Sequence, residues 1–207
     1  GKLAEERVLD PASHPRIIRA VKRQLATGRV WYIDGRKWTS TEIAAEIIKK
    51  LKRDVEETYF RCPVERAVFT HPATFDEVEK AKLREAAELA GFREVALLEE
   101  PVAAVVAYVE EGYQVGDAIL VYDLGGGTFD ITFLMRSGKD KPFRLATRPS
   151  GLRVGGEDFD RLLYEEVDRL IRKNTGREGS SDILDLELLA RCRRYKENLS
   201  LSKSPPP

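Results

Sequence analysis

The chain has 207 residues, enough for one large domain or two small ones, and 42% of them are hydrophobic, which excludes wholesale disorder. Its 35 basic and 35 acidic residues cancel to zero net charge, so no global field favours nucleic acid or an anionic membrane as a partner. No apolar run approaches the roughly 20 residues that a membrane helix needs. The opening Gly1 to Glu6 is not followed by the apolar segment of a signal peptide. Cys62 and Cys192 lie far apart and outside any Cys-x-x-Cys pair, which points to unpaired thiols in a reducing cytoplasm. His14 and His71 have no partners at metal-ligand spacing, so no zinc site is expected.

Along the chain, Pro15 to Leu25 reads as a helix with Ile17, Ile18, Val21 and Leu25 on one side, stopped by Gly28. Val30 to Ile33 and Lys37-Trp38 read as a hairpin around the turn dipeptide Asp34-Gly35. Thr39-x-x-Glu42 is a capping box that opens a helix to about Tyr59, with Ile43, Ile47, Leu51 and Val55 as its apolar stripe. Arg66 to Thr70 is a short strand ended by Pro72. Asp76-x-x-Glu79 starts a second capped helix that runs to Ala90, before Gly91. Val95 to Leu98 is a buried strand, and Pro101 suits the first turn of the Ala/Val-rich helix that reaches Val109.

The most informative stretch follows. Strand Ala118 to Tyr122 leads through Asp123 into Gly125-Gly126-Gly127-Thr128, and strand Phe129 to Met135 carries Asp130. Consecutive glycines cost backbone entropy, so their retention calls for a reason. Close approach of backbone N–H groups to a phosphate is the reading that fits. Asp123 and Asp130 flank the turn, where they could hold a metal, a water or a transferred proton. Phe143 to Thr147 is a third strand. Gly155-Gly156 precede a helix from about Asp158 to Lys173 with Phe159, Leu162, Leu163, Val167 and Leu170 inward, and Leu184 to Leu199 is the last helix. The whole predicts an α/β fold with mixed sheets and flanking helices.

The glycine turn is not a P-loop, because no Gly-Lys-[Ser/Thr] follows, and not a dinucleotide fingerprint, because it joins strand to strand. Its form, Asp-x-Gly-Gly-Gly-Thr-x-Asp, resembles the second phosphate loop of the actin-like (ribonuclease H-like) ATPases. Glu100-Pro101-Val102-Ala103-Ala104 and Val154-Gly155-Gly156-Glu157-Asp158-Phe159-Asp160 narrow the resemblance to the DnaK-type chaperones, the seventy-kilodalton heat-shock family. Segments 67–75, with Pro72-Ala73-Thr74-Phe75 at its end, 86–91 and 20–23 agree, so the likeness runs from about Gly1 to Ser202. The Gly-Gly-Glu-Asp-Phe-Asp run is closer to the chaperones than to cytoskeletal or sugar-kinase relatives.

The resemblance implies ATP or ADP with magnesium as ligands and water attack on the γ-phosphate. Lys22 would position that water and the γ-phosphate, Glu100 would orient the water and relay between lobes, and Thr128 would donate to either. Asp123 and Asp130 would act through magnesium-bound waters. Gly125, Gly126, Gly127, Gly155 and Gly156 would offer backbone contacts to the nucleotide, and Lys196 and Ser200 would read adenosine. Glu99 stands where the family has Asn. Arg193 and Glu197 stand where it has Glu and Arg or an apolar residue, which makes altered nucleotide affinity or base preference an expectation. The implied partners are unfolded client polypeptides, a J-domain co-chaperone and a nucleotide-exchange factor.

The expected layout is a partial two-lobed domain: residues 1–60 in the outer and 61–117 in the inner part of the first lobe, then 118–153 in the inner and 154–207 in the outer part of the second. Nothing in the chain matches the family's first phosphate loop, so a fragment of the ATPase domain without its peptide-binding domain is expected, and by itself inactive. A divergent nucleotide-binding module without useful turnover is the alternative.

Overall fold

The computed structural model describes Arg7, residues 16–176 and residues 182–201; the side chains of 182–185, Ser200 and Leu201 lie outside that description. The described residues fall into two compact units, Ala20–Arg153 and, from the remainder, Gly1–Arg19 with Val154–Pro207. Both are α/β or helical, and the strands form several small sheets.

In the unit Ala20–Arg153, β1 (Val30–Ile33) pairs antiparallel with β2 (Arg36–Thr39). The two turn residues, Asp34 at φ 52° and Gly35 at φ 76°, are both left-handed, as a two-residue hairpin turn matched to strand twist requires. Helix α1 (Ser40–Val55) starts at the capping box read from sequence: Thr39 accepts from the Glu42 amide, and Glu42 accepts from the Thr39 amide at 2.8 Å. A π turn over Glu56–Phe60 continues it. Strands β3 (Arg66–His71) and β4 (Glu94–Glu99) pair in parallel and are joined by α2 (Glu77–Leu89), whose Asp76/Glu79 capping box is also formed. Helix α3 (Glu100–Glu110) follows β4 without a gap.

Packing differs from the predicted stripe on α1. Its buried face is Thr41, Ala44, Ala45 and Ile48, and Ile47 and Leu51 are 51% and 59% exposed. The reason lies in the partner: α2 presents Ala86 and Ala87, both fully buried, and small residues on both helices let the backbones approach closely. Leu25, Ala44, Ala45 and Ala86 form one core cluster, with Val21, Ile48, Phe75 and Leu83 packed on it. A second, Ala87, Ala90 and Phe92, carries the β3–β4 sheet, where Phe69 and Phe92 meet edge to face at 5.3 Å. Strand β4 is half-exposed along Val95 to Leu98 and not buried as expected.

Over the described part of the helix expected from Pro15 to Leu25, residues 17–20 are irregular and Val21–Gln24 form a 3-10 turn. Ala20 enters it at φ 51°, a left-handed conformation that a residue with a Cβ seldom adopts, and this breaks any helix at that point. The third sheet has β6 (Phe129–Met135) at its centre, flanked by β5 (Ala118–Leu124) on one edge and by β7 (Arg144–Leu145) and β8 (Ser150–Leu152) on the other. The third strand is thus shorter than the predicted Phe143 to Thr147, and β8 was not predicted at all.

The other unit contains α4 (Gly156–Thr175) and α5 (Asp182–Leu201), packed on each other. On α4 the inward positions are Asp160, Leu163, Tyr164 and Val167; Phe159, Leu162 and Leu170, expected inside, are 42%, 62% and 42% exposed. An ion pair joins the two helices, Lys196 of α5 reaching Asp160 of α4.

Candidate functional site

The β5–β6 hairpin has two chemically different faces. Ile119, Val121 and Asp123 of β5 stand opposite Leu134, Thr132 and Asp130 of β6, and this face is the more buried. Its outer end, at the glycine turn, is therefore acidic: Asp123 and Asp130 are register partners. Like charges directly opposite on one sheet face repel, and the arrangement is unfavourable unless a cation or its waters lie nearby. Asp130 is 3% exposed and its Oδ2 has no hydrogen-bond partner among the described residues; the same holds for Oγ1 of Thr132, two residues along on the same face. Burying such groups unpaired is costly, so each of these orphaned atoms calls for an explanation.

The turn itself is closed by the Gly125 amide donating to the Thr128 carbonyl at 2.9 Å. None of Gly125, Gly126 and Gly127 has a left-handed φ, so backbone conformation does not explain them. Proximity does. A Cβ on Gly127 would lie 2.5 Å from Nε of Arg23, whereas one on Gly126 would meet nothing within 4 Å. The 3-10 turn carrying Lys22 and Arg23 is thereby seated on the glycine turn. On that 3-10 turn Lys22 Nζ lies 2.6 Å from Oε1 of Glu100, the first residue of α3, across 78 positions of sequence. With side chains 50% and 24% exposed, such a pair contributes about 0–1 kcal/mol to stability, so stability does not account for it. Ala20, two residues earlier, enters this 3-10 turn with a left-handed φ of 51°. Five predicted residues, Lys22, Glu100, Asp123, Thr128 and Asp130, thus belong to one unit, together with Gly125, Gly126 and Gly127.

Gly155, Gly156 and Lys196 belong to the other unit. Gly155 donates its amide to Oδ2 of Asp158 at 2.8 Å, which caps α4. Lys196 Nζ donates to the Gly156 carbonyl at 2.7 Å and pairs with Asp160 Oδ1 at 2.6 Å. Cys192, buried beside them, has its thiol pushed above the ordinary range by desolvation and by the Asp160 charge.

The profile of the Hsp70 protein family matches residues 14–206. A "Chaperone protein DnaK" of Thermosipho africanus (strain TCF52B) is 36% identical over 187 residues, which are 90% of this chain and 31% of that protein. The chain belongs to the Hsp70 family. It spans about a third of the length of that relative.

The positions expected to depart from the family pattern are placed as follows. Glu99 is the N-cap of α3 but makes no capping bond, which the shorter Asn would reach more readily. Arg193 and Glu197 engage each other across one turn of α5 at 2.9 Å. The side chain of Ser200, an expected adenosine contact, lies outside the described residues, as does His14. His71 is 2% exposed, stacked over Phe75, and its Nδ1–H donates to the Pro72 carbonyl at 2.7 Å; it is a structural residue. Cys62 and Cys192 are both free thiols, as expected. Among the described residues no group of three or more His, Cys, Asp or Glu could hold a metal directly, and no helix is long and apolar enough to cross a membrane. Sequence reasoning missed Arg23, Thr74 and Gly151 around the site. Arg23 adjoins Lys22, and Gly151 lies in a strand too short to show periodicity.

Proposed function

We propose that this chain is part of a nucleotide-binding ATPase domain of an Hsp70-type chaperone, with an actin-like fold. In this layout residues 1–60 and 61–117 belong to the outer and inner parts of the first lobe, and residues 118–153 and 154–207 to the inner and outer parts of the second. The observation that carries the reading is the acidic end of the β5–β6 hairpin, with Asp130 buried and one oxygen unpartnered beside three glycines whose spacing conformation does not require. Oxygen-rich, partly buried carboxylates suit magnesium held through its waters, and a magnesium ion there would neutralise charge on the bound phosphates. Asp123 and Asp130 are the residues to hold that water shell. The amides of Gly126 and Gly127 and the hydroxyl of Thr128 face the phosphate chain. Lys22 supplies a point charge for the γ-phosphate and the attacking water, and Glu100 fixes the lysine's direction and accepts from that water.

Adenosine is read by Lys196 and Ser200, with Gly155 and Gly156 approaching through backbone. Asp160 and the Gly156 carbonyl hold the Lys196 ammonium in the described arrangement, so its aliphatic stem is the part available for stacking on a base. The full protein would couple nucleotide state to lobe closure and thereby to unfolded client polypeptides, with a J-domain co-chaperone and a nucleotide-exchange factor as further partners in the cytoplasm. The chain by itself is expected to be inactive in hydrolysis, because contacts that act together are lost together.

The test is thermal denaturation of the chain with and without magnesium-ATP. A ligand that binds only the folded state raises the melting temperature by mass action. The expected outcome is a rise that saturates with ATP, needs magnesium and vanishes in Asp130→Asn. A rise of equal size in that variant would refute the assignment.

A further inference from the structure

Asp130 is held by residues outside the hairpin, and the way it is held singles out one of its two oxygens. Thr74, in the turn between β3 and α2, donates its hydroxyl to Oδ1 of Asp130 at 3.0 Å. Behind the same oxygen runs β8: a Cβ on Gly151 would lie 2.4 Å from Oδ1 and 2.9 Å from Cγ2 of Thr74. Gly151 has no left-handed φ, so its lack of a side chain makes room for this one contact. Oδ1 is thus enclosed between a hydroxyl and a strand backbone. Oδ2 is the oxygen left without a partner.

The turn that brings Thr74 there is held by several contacts. Pro72 is fully buried, and its carbonyl accepts from the Phe75 amide at 3.1 Å and from the His71 ring at 2.7 Å. The His71 ring stacks on Phe75 at 5.9 Å, and the Asp76/Glu79 capping box begins α2 immediately afterwards. Arg153, just beyond β8, pairs with buried Glu79 at 2.9 Å and so ties the end of β8 to the same helix. A hydroxyl mounted on such a turn has little freedom, and a hydrogen bond from it to a carboxylate is charge-assisted.

We infer that Thr74 is a positioning residue for the metal-nucleotide site: by donating to Oδ1 of Asp130 it fixes the carboxylate plane and leaves Oδ2 as the oxygen offered to the water shell of a bound magnesium. The inference rests on the reading of Asp130 given above. It assigns a role to the position that the Pro-Ala-x-Phe pattern leaves open, and it is specific to a residue with a hydroxyl at that position.

The experiment is calorimetric titration of the chain with magnesium-ADP, and with ADP in excess EDTA, for the unaltered chain and for Thr74→Val, Thr74→Ser and Asp130→Asn. Thr74→Val keeps the shape and removes the donor; loss of one charge-assisted hydrogen bond is expected to weaken magnesium-ADP by about tenfold. Metal-free ADP should be unchanged, and Thr74→Ser should restore the magnesium-ADP affinity. Unaltered magnesium-ADP affinity in Thr74→Val, beside a loss in Asp130→Asn, overturns the inference and leaves the reading of Asp130 standing. Equal losses in Thr74→Val and Thr74→Ser also overturn it, because the hydroxyl is then not the cause. No binding by the unaltered chain, or no loss in Asp130→Asn, overturns the reading and the inference together. Should Thr74→Val fail to fold by near-ultraviolet circular dichroism, Thr74→Ala takes its place in the same comparison.

Discussion

The two glycine turns of this chain look alike in sequence and differ in how their polar groups are satisfied. At Gly155-Gly156 charge is answered locally: Asp158 takes the Gly155 amide, and the Lys196 ammonium donates to the Gly156 carbonyl and forms an ion pair with Asp160, whose buried Oδ1 accepts no hydrogen bond among the described residues. At Gly125-Gly126-Gly127 it does not. Two carboxylates oppose each other across the hairpin, and a buried oxygen of one has no partner among the described residues. The lesson is that glycine-rich spacing does not by itself identify a ligand site. What separates the two turns is whether charge closes locally: Asp160 has the Lys196 ammonium beside it, and Asp130 faces a second carboxylate. A turn that leaves them open is less stable than it could be, which is the usual condition of a functional site.

The comparison breaks first at the Lys196–Asp160 pair. Asp160 is 6% exposed, so Lys196→Met would leave a nearly buried carboxylate unpaired, and a loss of about 2 kcal/mol or more is expected. Chemical denaturation followed by helical circular dichroism measures it; a loss below about 0.5 kcal/mol would mean that this cluster is as open as the other. The next effect distinguishes neighbouring glycines. Gly127→Ala forces Arg23 to move and should cost about 1–3 kcal/mol, and Gly126→Ala should cost only a few tenths. If Gly126→Ala keeps the melting temperature yet abolishes the shift with magnesium-ATP, space at Gly126 serves the ligand.

A smaller effect has the opposite sign. Asp123→Asn removes like-charge opposition across the hairpin and should stabilise the folded chain by about 0.2–1 kcal/mol while binding is lost. A destabilisation would show that Asp123 has a structural partner. The last concerns acid. The Thr39 amide, chiefly, and then the Thr39 hydroxyl hold the Glu42 carboxyl below its ordinary value of 4.5, so the capping box contributes stability that is present above pH 4.5 and is lost as pH falls below it through the lowered native value. Thr39→Ala should cost about 1 kcal/mol at neutral pH and flatten this part of the acid transition. An unchanged slope in the variant would place the acid sensitivity elsewhere.

Local signals were the legible part of the sequence. Both capping boxes, the Asp34-Gly35 turn and strand β6 depend on residues adjacent to one another, and they form as read. The hairpin's two aspartates were visible for the same reason. Tertiary preference was not visible. The α1 stripe differs from the expected one because Ala44 and Ala45 look indifferent in sequence and become the buried face only when Ala86 of α2 and Leu25 pack on them. The missing first helix turns on the conformation of one residue, Ala20, which no periodicity encodes. Strand β8 has three residues, fewer than an alternating pattern needs, and with it went Gly151 and the enclosure of Asp130. Lys22 and Glu100 were found through family resemblance; their contact across 78 positions could not be read from spacing.

The central claim is that the acidic end of the β5–β6 hairpin binds magnesium-nucleotide. Calorimetric titration of the chain with magnesium-ATP, beside Asp123→Ala, tests it most directly. The account predicts saturable binding tighter than about 1 mM, corresponding to about −4 kcal/mol, and its loss in the variant. Binding of equal affinity in both proteins, or heat absent from both at high concentration, would contradict it.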